Sequence, residues 1–158
     1  MTSPTNPEQR LKELGLELPG GTAPAGNYAA AVQSGNLLFL SAKAPLAIDG
    51  QLPKGRLGRE YSAEEGYVLA RSACTDLISA MKKALGSLDR VAQVVELQGS
   101  INADPDFEDH AKVLDGASDL LAEVFGPAGV HARSVIGVSS LRKGIPLSLR
   151  AVVEVRPA

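Results

Sequence analysis

The chain has 158 residues, 44% of them hydrophobic, and a formal charge of -2; this suits one well-buried domain and is too short for two. A pI of about 5.7 sets up no overall field to attract nucleic acid or an anionic membrane, and 4% aromatics without tryptophan leave few stacking platforms for single strands, so a nucleic-acid partner is not expected. The lone cysteine, Cys74, excludes an internal disulfide, and no Cys/His cluster has zinc spacing; no metal and no other cofactor is expected.

The N-terminal stretch MTSPTNPEQR is polar, and no run approaches the ~18 apolar residues of a membrane span. A cytoplasmic protein with neither signal peptide nor anchor is expected. Glu8 to Glu17 carries Leu11 and Leu14 at helical spacing, and Gly20-Gly21 ends that helix. Pro19 to Gly26 follows as a Gly/Pro-rich linker, so residues 1–24 read as helix and linker and residues 25–158 as the domain. Tyr28 to Gln33 and Leu37 to Ser41 flank Ser34-Gly35-Asn36 as a hairpin. Asp49 to Arg59 has no apolar periodicity and reads as a solvated, loosely ordered loop.

From Ala63 to Leu85 the residues Val68, Leu69, Ala73, Leu77, Ala80, Met81 and Ala84 recur at steps of three and four, which predicts a long helix with one buried stripe, ended by Gly86, with Cys74 packed beside the stripe. Val91 to Ile101 reads as a strand. Asp104-Pro105-Asp106 is expected to open a second helix, carrying Val113, Leu114, Leu120, Leu121 and Val124, because carboxylates suit the positive end of the dipole. After Gly126-Pro127 come two strands, Ala132 to Ser139 and Pro146 to Val155, joined by Arg142-Lys143-Gly144.

The order ββαβαββ predicts an α+β domain, a mixed sheet with both helices on one face. Strands such as Val91-Ala-Gln-Val-Val-Glu-Leu and Ala151-Val-Val-Glu-Val carry more apolar residues than one buried face needs. An oligomer that covers the second face is therefore expected.

Three stretches carry a resemblance: Ala25-Gly-Asn-Tyr-Ala-Ala-Ala-Val-Gln-Ser-Gly-Asn-Leu-Leu-Phe-Leu-Ser41, Ala132-Arg133-Ser134 with its alternating strand, and the closing strand Ile145 to Val155. They resemble the reactive intermediate deaminase family (RidA/YjgF), small subunits of chorismate-mutase-like fold that assemble as homotrimers. Gly116 to Leu121 and His131 to Ser134 are most similar to a longer branch of it. The resemblance implies that Arg133 binds the carboxylate of an amino-acid-derived enamine or imine in a cleft between subunits, and a planar, permanently charged guanidinium suits that task. It also implies that Tyr28 and Ser41 line the cleft. Without it, Arg133 reads as an interface ion-pair partner, Tyr28 as a packing residue and Ser41 as a strand-end hydroxyl.

Departures from the family pattern bear on activity. Ser148 stands where the deaminases carry a glutamate that holds the attacking water, and Arg150 replaces the next glutamate. A serine holds water but is no proton acceptor at neutral pH. Val135 replaces a frequent cysteine, Ala42 a glycine, and Asp115 an asparagine; an aspartate near Arg133 competes with a ligand carboxylate. His131 reads either as a loop residue or as a neighbour of Arg133 on one strand face, and His110 as solvated.

The expected ligand is a small carboxylate or carbonyl metabolite. The expected activity is 2-iminobutanoate/2-iminopropanoate deaminase-like hydrolysis to a keto acid and ammonia, with a non-catalytic binding or sensing trimer as the alternative. An endoribonuclease or translation inhibitor fits least, since no histidine pair is evident for acid/base cleavage.

Overall fold

In a computed structural model, which describes residues 6–158, Asn6 caps the first helix, accepting from the Gln9 N–H at 2.8 Å. This helix, α1, spans Pro7–Glu13 and is shorter than its leucine spacing predicted. Gly15, at φ +70°, turns the chain at once, because only glycine enters that region without cost. Leu11 is buried and joins the main core.

The hairpin pairs β1 (Ala31–Ser34) with β2 (Leu37–Lys43) across Gly35-Asn36, with Ser34 opposite Leu37. Its first strand begins three residues later than expected, leaving Tyr28 in the preceding bend. Helix α2, Ala63–Leu85, has the predicted bounds, set by a Ser62/Glu65 capping box and by Gly86. Its buried face is broader than one stripe, yet excludes Val68 and Ala84, both exposed; the other five predicted positions and Cys74 are buried.

Strand β3, Val91–Asn102, leads to a correction. Asp104-Pro105-Asp106 does not open a helix; α3 spans His110–Phe125. Asp104 is committed elsewhere: its N–H donates to the Leu57 carbonyl at 2.9 Å, and its carboxylate meets Arg59 at 3.0 Å. The 49–59 loop is thereby fastened rather than loose, with Leu57 fully buried and its N–H donating to the Asn102 carbonyl at 2.9 Å. Strands β4 (Ala132–Val138) and β5 (Leu147–Val155) complete the domain.

The sheet order is β1-β2-β5-β3-β4, with β3 and β4 parallel and the other pairs antiparallel. Helices α2 and α3 cover one face. They lie close because glycines stand at the contact: a Cβ on Gly66 would meet Leu57 at 2.6 Å and Val113 at 2.8 Å, and one on Gly116 would run into the Tyr67 carbonyl. The opposite face is open. Across it Val32 pairs with Phe39 and Phe39 with Val152, while Val32, Phe39 and Ile136 remain 55%, 45% and 59% exposed.

Candidate functional site

Arg133 lies opposite Leu97 in the β3–β4 ladder. Leu97 is buried under the helices, so Arg133 projects to the helix side at the outer edge of the sheet. There its Nη1 donates to Asp115 Oδ1 at 2.6 Å and to Ser118 Oγ at 3.1 Å. Asp115 and Ser118 are three residues apart on α3 and so share a face. The Arg133 side chain is 24% exposed. Its Nη2 reaches the Ala111 carbonyl only at 3.5 Å, the margin of a hydrogen bond, and Nε meets no acceptor among the described residues. Val135 follows on the same side, opposite Gly99, and packs on the core.

His131, just before β4, reaches the same cluster. Its Nε2 lies 2.9 Å from Ser118 Oγ and its Nδ1 2.6 Å from the Gly129 carbonyl. A carbonyl only accepts, so Nδ1 carries the proton, and in the neutral ring Nε2 accepts from the serine. Ser118, Ala122, Val130, His131 and Arg133 line an open groove of about 260 Å³. Sequence reading missed Ser118, although its spacing from Asp115 marks it as a residue of the same face.

Tyr28, Ser41 and Ala42 are gathered elsewhere, around a cavity of about 230 Å³ beside the hairpin. Tyr28 is 49% exposed, its hydroxyl accepting from the Ala25 N–H at 3.1 Å. Ser41 Oγ donates to the Ala29 carbonyl at 2.6 Å, and Ala42 sits where the β2–β5 register shifts between Leu40 and Lys43. Lys43 and Asp76 form the floor, both buried. The Lys43 ammonium donates to the Thr22 carbonyl and hydroxyl at 2.9 and 3.1 Å; the Asp76 carboxylate accepts from the Thr22 N–H and hydroxyl at 3.2 and 2.7 Å. The sequence gives no sign of this network, since its members lie far apart in the chain.

These two clusters belong to opposite edges of the sheet. Two strands, β5 and β3, separate β2 from β4, roughly 14 Å at the usual spacing. Ser148 is elsewhere again: it alternates with buried Leu147 and Leu149, so it faces the open side, opposite Ser100. One chain therefore brings together Arg133, Asp115 and Val135, and separately Tyr28, Ser41 and Ala42, but does not join the groups. On the open side Arg150 Nε donates to Gln98 Oε1 at 2.7 Å.

Other chemistry is limited. Burial pushes the Cys74 thiol up to about 12, which leaves it protonated and unreactive. His110 is set edge-on to Phe107 and lies against Gly137, at the far end of β4 from His131 and about 20 Å from it by strand rise. Among the described residues no group of three His, Cys, Asp or Glu is placed to hold a metal, and no helix is long and apolar enough to cross a membrane.

A mixed five-stranded sheet with two long helices on one face, and an arginine at its parallel edge, defines a chorismate-mutase-like fold. Residues 8–149 match the family model described as "YjgF/chorismate_mutase-like, putative endoribonuclease", and the chain belongs to this RidA/YjgF family. It is 41% identical over 145 residues to Protein TCP17 of Trypanosoma cruzi, covering 91% of both chains. A crystal structure of a "putative endoribonuclease" from Shewanella oneidensis superposes with a TM-score of 0.92 at 37% identity, covering 96% of this chain and 100% of that one. Protein Atu1372 of Agrobacterium tumefaciens, described as of unknown function, follows with a TM-score of 0.87 and 34% identity, covering 95% and 92%.

Proposed function

We propose that this protein is a cytoplasmic homotrimeric deaminase that hydrolyses reactive imines or enamines derived from amino acids to keto acids and ammonia. The observation that carries the reading is the state of Arg133: Asp115 and Ser118 hold it by Nη1, Nη2 has only a marginal contact with the Ala111 carbonyl, and the residue lines an open groove. A guanidinium fixed along one edge is prepared to grip a carboxylate with the other.

The division of the site supports an assembly. Tyr28, Ser41 and Ala42 approach Arg133 only if they come from a second copy, and the uncovered apolar row Val32, Phe39 and Val152 offers a surface for such a copy to bury. Imines hydrolyse in water unaided, so holding the carboxylate beside a positioned water supplies much of the acceleration required.

The test is ammonia release from freshly generated 2-aminoacrylate and from 2-iminobutanoate, with wild type, Arg133→Ala and buffer alone. Acceleration by wild type and its loss in the variant are expected; no acceleration of either compound would overturn the reading. One observation favours a second reading, a trimer that binds a small carboxylate without chemistry: Ser148 offers no carboxylate at the position where the resemblance implies a glutamate. Binding of 2-oxobutanoate without any turnover would select it.

A further inference from the structure

The proposed hydrolysis needs a group to take a proton from water, and Ser148 of the closing strand is no proton acceptor at neutral pH. We infer that Ser118 and His131 form the proton relay of this site, His131 acting as the general base through the serine hydroxyl. This inference rests on the imine-hydrolase reading of the Arg133 groove.

Four features carry it. First, the Nδ1 contact with Gly129 fixes the tautomer, leaving Nε2 with its lone pair toward Ser118 Oγ at 2.9 Å. Second, the carbonyl that does this is itself held: Gly129 is buried and packs so tightly on α3 that a Cβ there would run into the Leu121 carbonyl. Third, the arginine that would hold the substrate donates to that same hydroxyl at 3.1 Å. It anchors the serine oxygen and favours negative charge on it as the proton leaves. Fourth, Ser118, His131 and Arg133 all border one groove. A nucleophile-type hydroxyl, a base within hydrogen-bond reach, and a third group that orients the base form the arrangement expected of proton-transfer chemistry.

His131 and Arg133 share Ser118 Oγ, and Arg133 is in turn paired with Asp115 of α3 at 2.6 Å. On the remaining side Gln93 Nε2 donates to the Val130 carbonyl at 2.6 Å, which fixes the backbone leading to the histidine.

The steps balance as follows for a protonated imine. A water oxygen bonds to the imine carbon while its proton passes to Ser118 Oγ and the serine proton to His131 Nε2; the carbon–nitrogen π pair moves onto nitrogen, giving a carbinolamine. The amine takes the proton back from His131 through Ser118. The carbon–nitrogen bond then breaks with its electron pair leaving on ammonia, an oxygen lone pair closes the carbonyl, and the hydroxyl proton departs with ammonia as ammonium. Asp115 touches neither water nor substrate in this scheme and serves as a positioning residue for Arg133.

The experiment compares wild type, His131→Gln, His131→Gly and Ser118→Ala with 2-iminobutanoate, after circular dichroism and trimer mass have established that each is folded. The relay predicts that kcat falls about 100-fold in His131→Gln and Ser118→Ala, the low end for general base catalysis, with KM and 2-oxobutanoate affinity changed less than threefold in His131→Gln, which leaves both partners of Arg133 in place. It also predicts that added imidazole restores His131→Gly. A merely structural histidine would not produce rescue or a kcat-only effect. Near-wild-type kcat in His131→Gln and Ser118→Ala, or a loss mirrored in 2-oxobutanoate affinity and not rescued by imidazole, would overturn the relay and leave the hydrolase reading standing. An inactive wild type would overturn both.

Discussion

Replacing Asp115 by asparagine tests how charge is divided at Arg133. In the wild type the Asp115 carboxylate occupies Nη1 at 2.6 Å, so any ligand carboxylate gripping the guanidinium brings a second negative charge close to the first. Two carboxylates bridged by one guanidinium lie about 6 Å apart, and at the dielectric of water their repulsion is about 0.7 kcal/mol. The water value applies because the Asp115 side chain is 51% exposed. Asparagine keeps an acceptor for Nη1 and removes the charge, so Arg133 stays oriented while the repulsion disappears. Affinity for 2-oxobutanoate, measured by titration calorimetry, should then rise about threefold, since 1.4 kcal/mol is tenfold. The gain should shrink toward zero at high salt, where an exposed pair is screened. Unchanged or weaker binding by Asp115→Asn at low salt would refute the competition argument and make Asp115 a requirement for the grip.

Three further predictions concern the scaffold. Gly116→Ala forces α2 and α3 apart at the Tyr67 carbonyl and should cost about 2 kcal/mol or more, read as a fall in Tm of at least about 4 °C; an unchanged Tm would contradict the close approach. Asp76→Ala leaves the buried Lys43 ammonium without its counter-charge and frees the Thr22 N–H and hydroxyl, so urea unfolding should report a loss of about 3–5 kcal/mol, and a loss under 1 kcal/mol would refute the network. Cys74 should resist alkylation in the folded protein at pH 8 and react once urea unfolds it. Its thiol is held protonated up to about 12 in the fold, against 9.0 ordinarily, so the folded state binds the extra proton between those values. Stability should therefore be insensitive to this group below pH 9 and fall as pH rises above it, by up to about 1.4 kcal/mol per unit.

Much of the fold was legible because its signals are local. The leucine and alanine spacing of Ala63–Leu85, closed by Gly86, and the Gly35-Asn36 turn between alternating strands state their structures within a few residues of sequence. What escaped reading depends on distant partners. Asp104 looks like a helix opener, yet Arg59 and Leu57 claim it; Val68 fits the apolar rhythm, yet it lies on an exposed side of α2. The Asp49 to Arg59 stretch lacks periodicity but is anchored by one buried leucine. At the site, Asp115 was singled out only because the resemblance puts an asparagine at its position, and in the fold its carboxylate meets Arg133 at 2.6 Å. Ser118 was missed because its spacing from Asp115 shows only a shared helix face; the fold brings it between Arg133 and His131.

The most direct test of the account is a crystal structure of the protein with 2-oxobutanoate, the keto acid left by the proposed reaction. The account predicts its carboxylate on the free edge of Arg133 in one protomer, with Tyr28 and Ser41 of a second protomer closing over it and the keto carbon facing Ser118. A ligand bound within a single chain beside the hairpin, or an assembly that keeps Tyr28 and Ser41 of every copy away from Arg133, would contradict it.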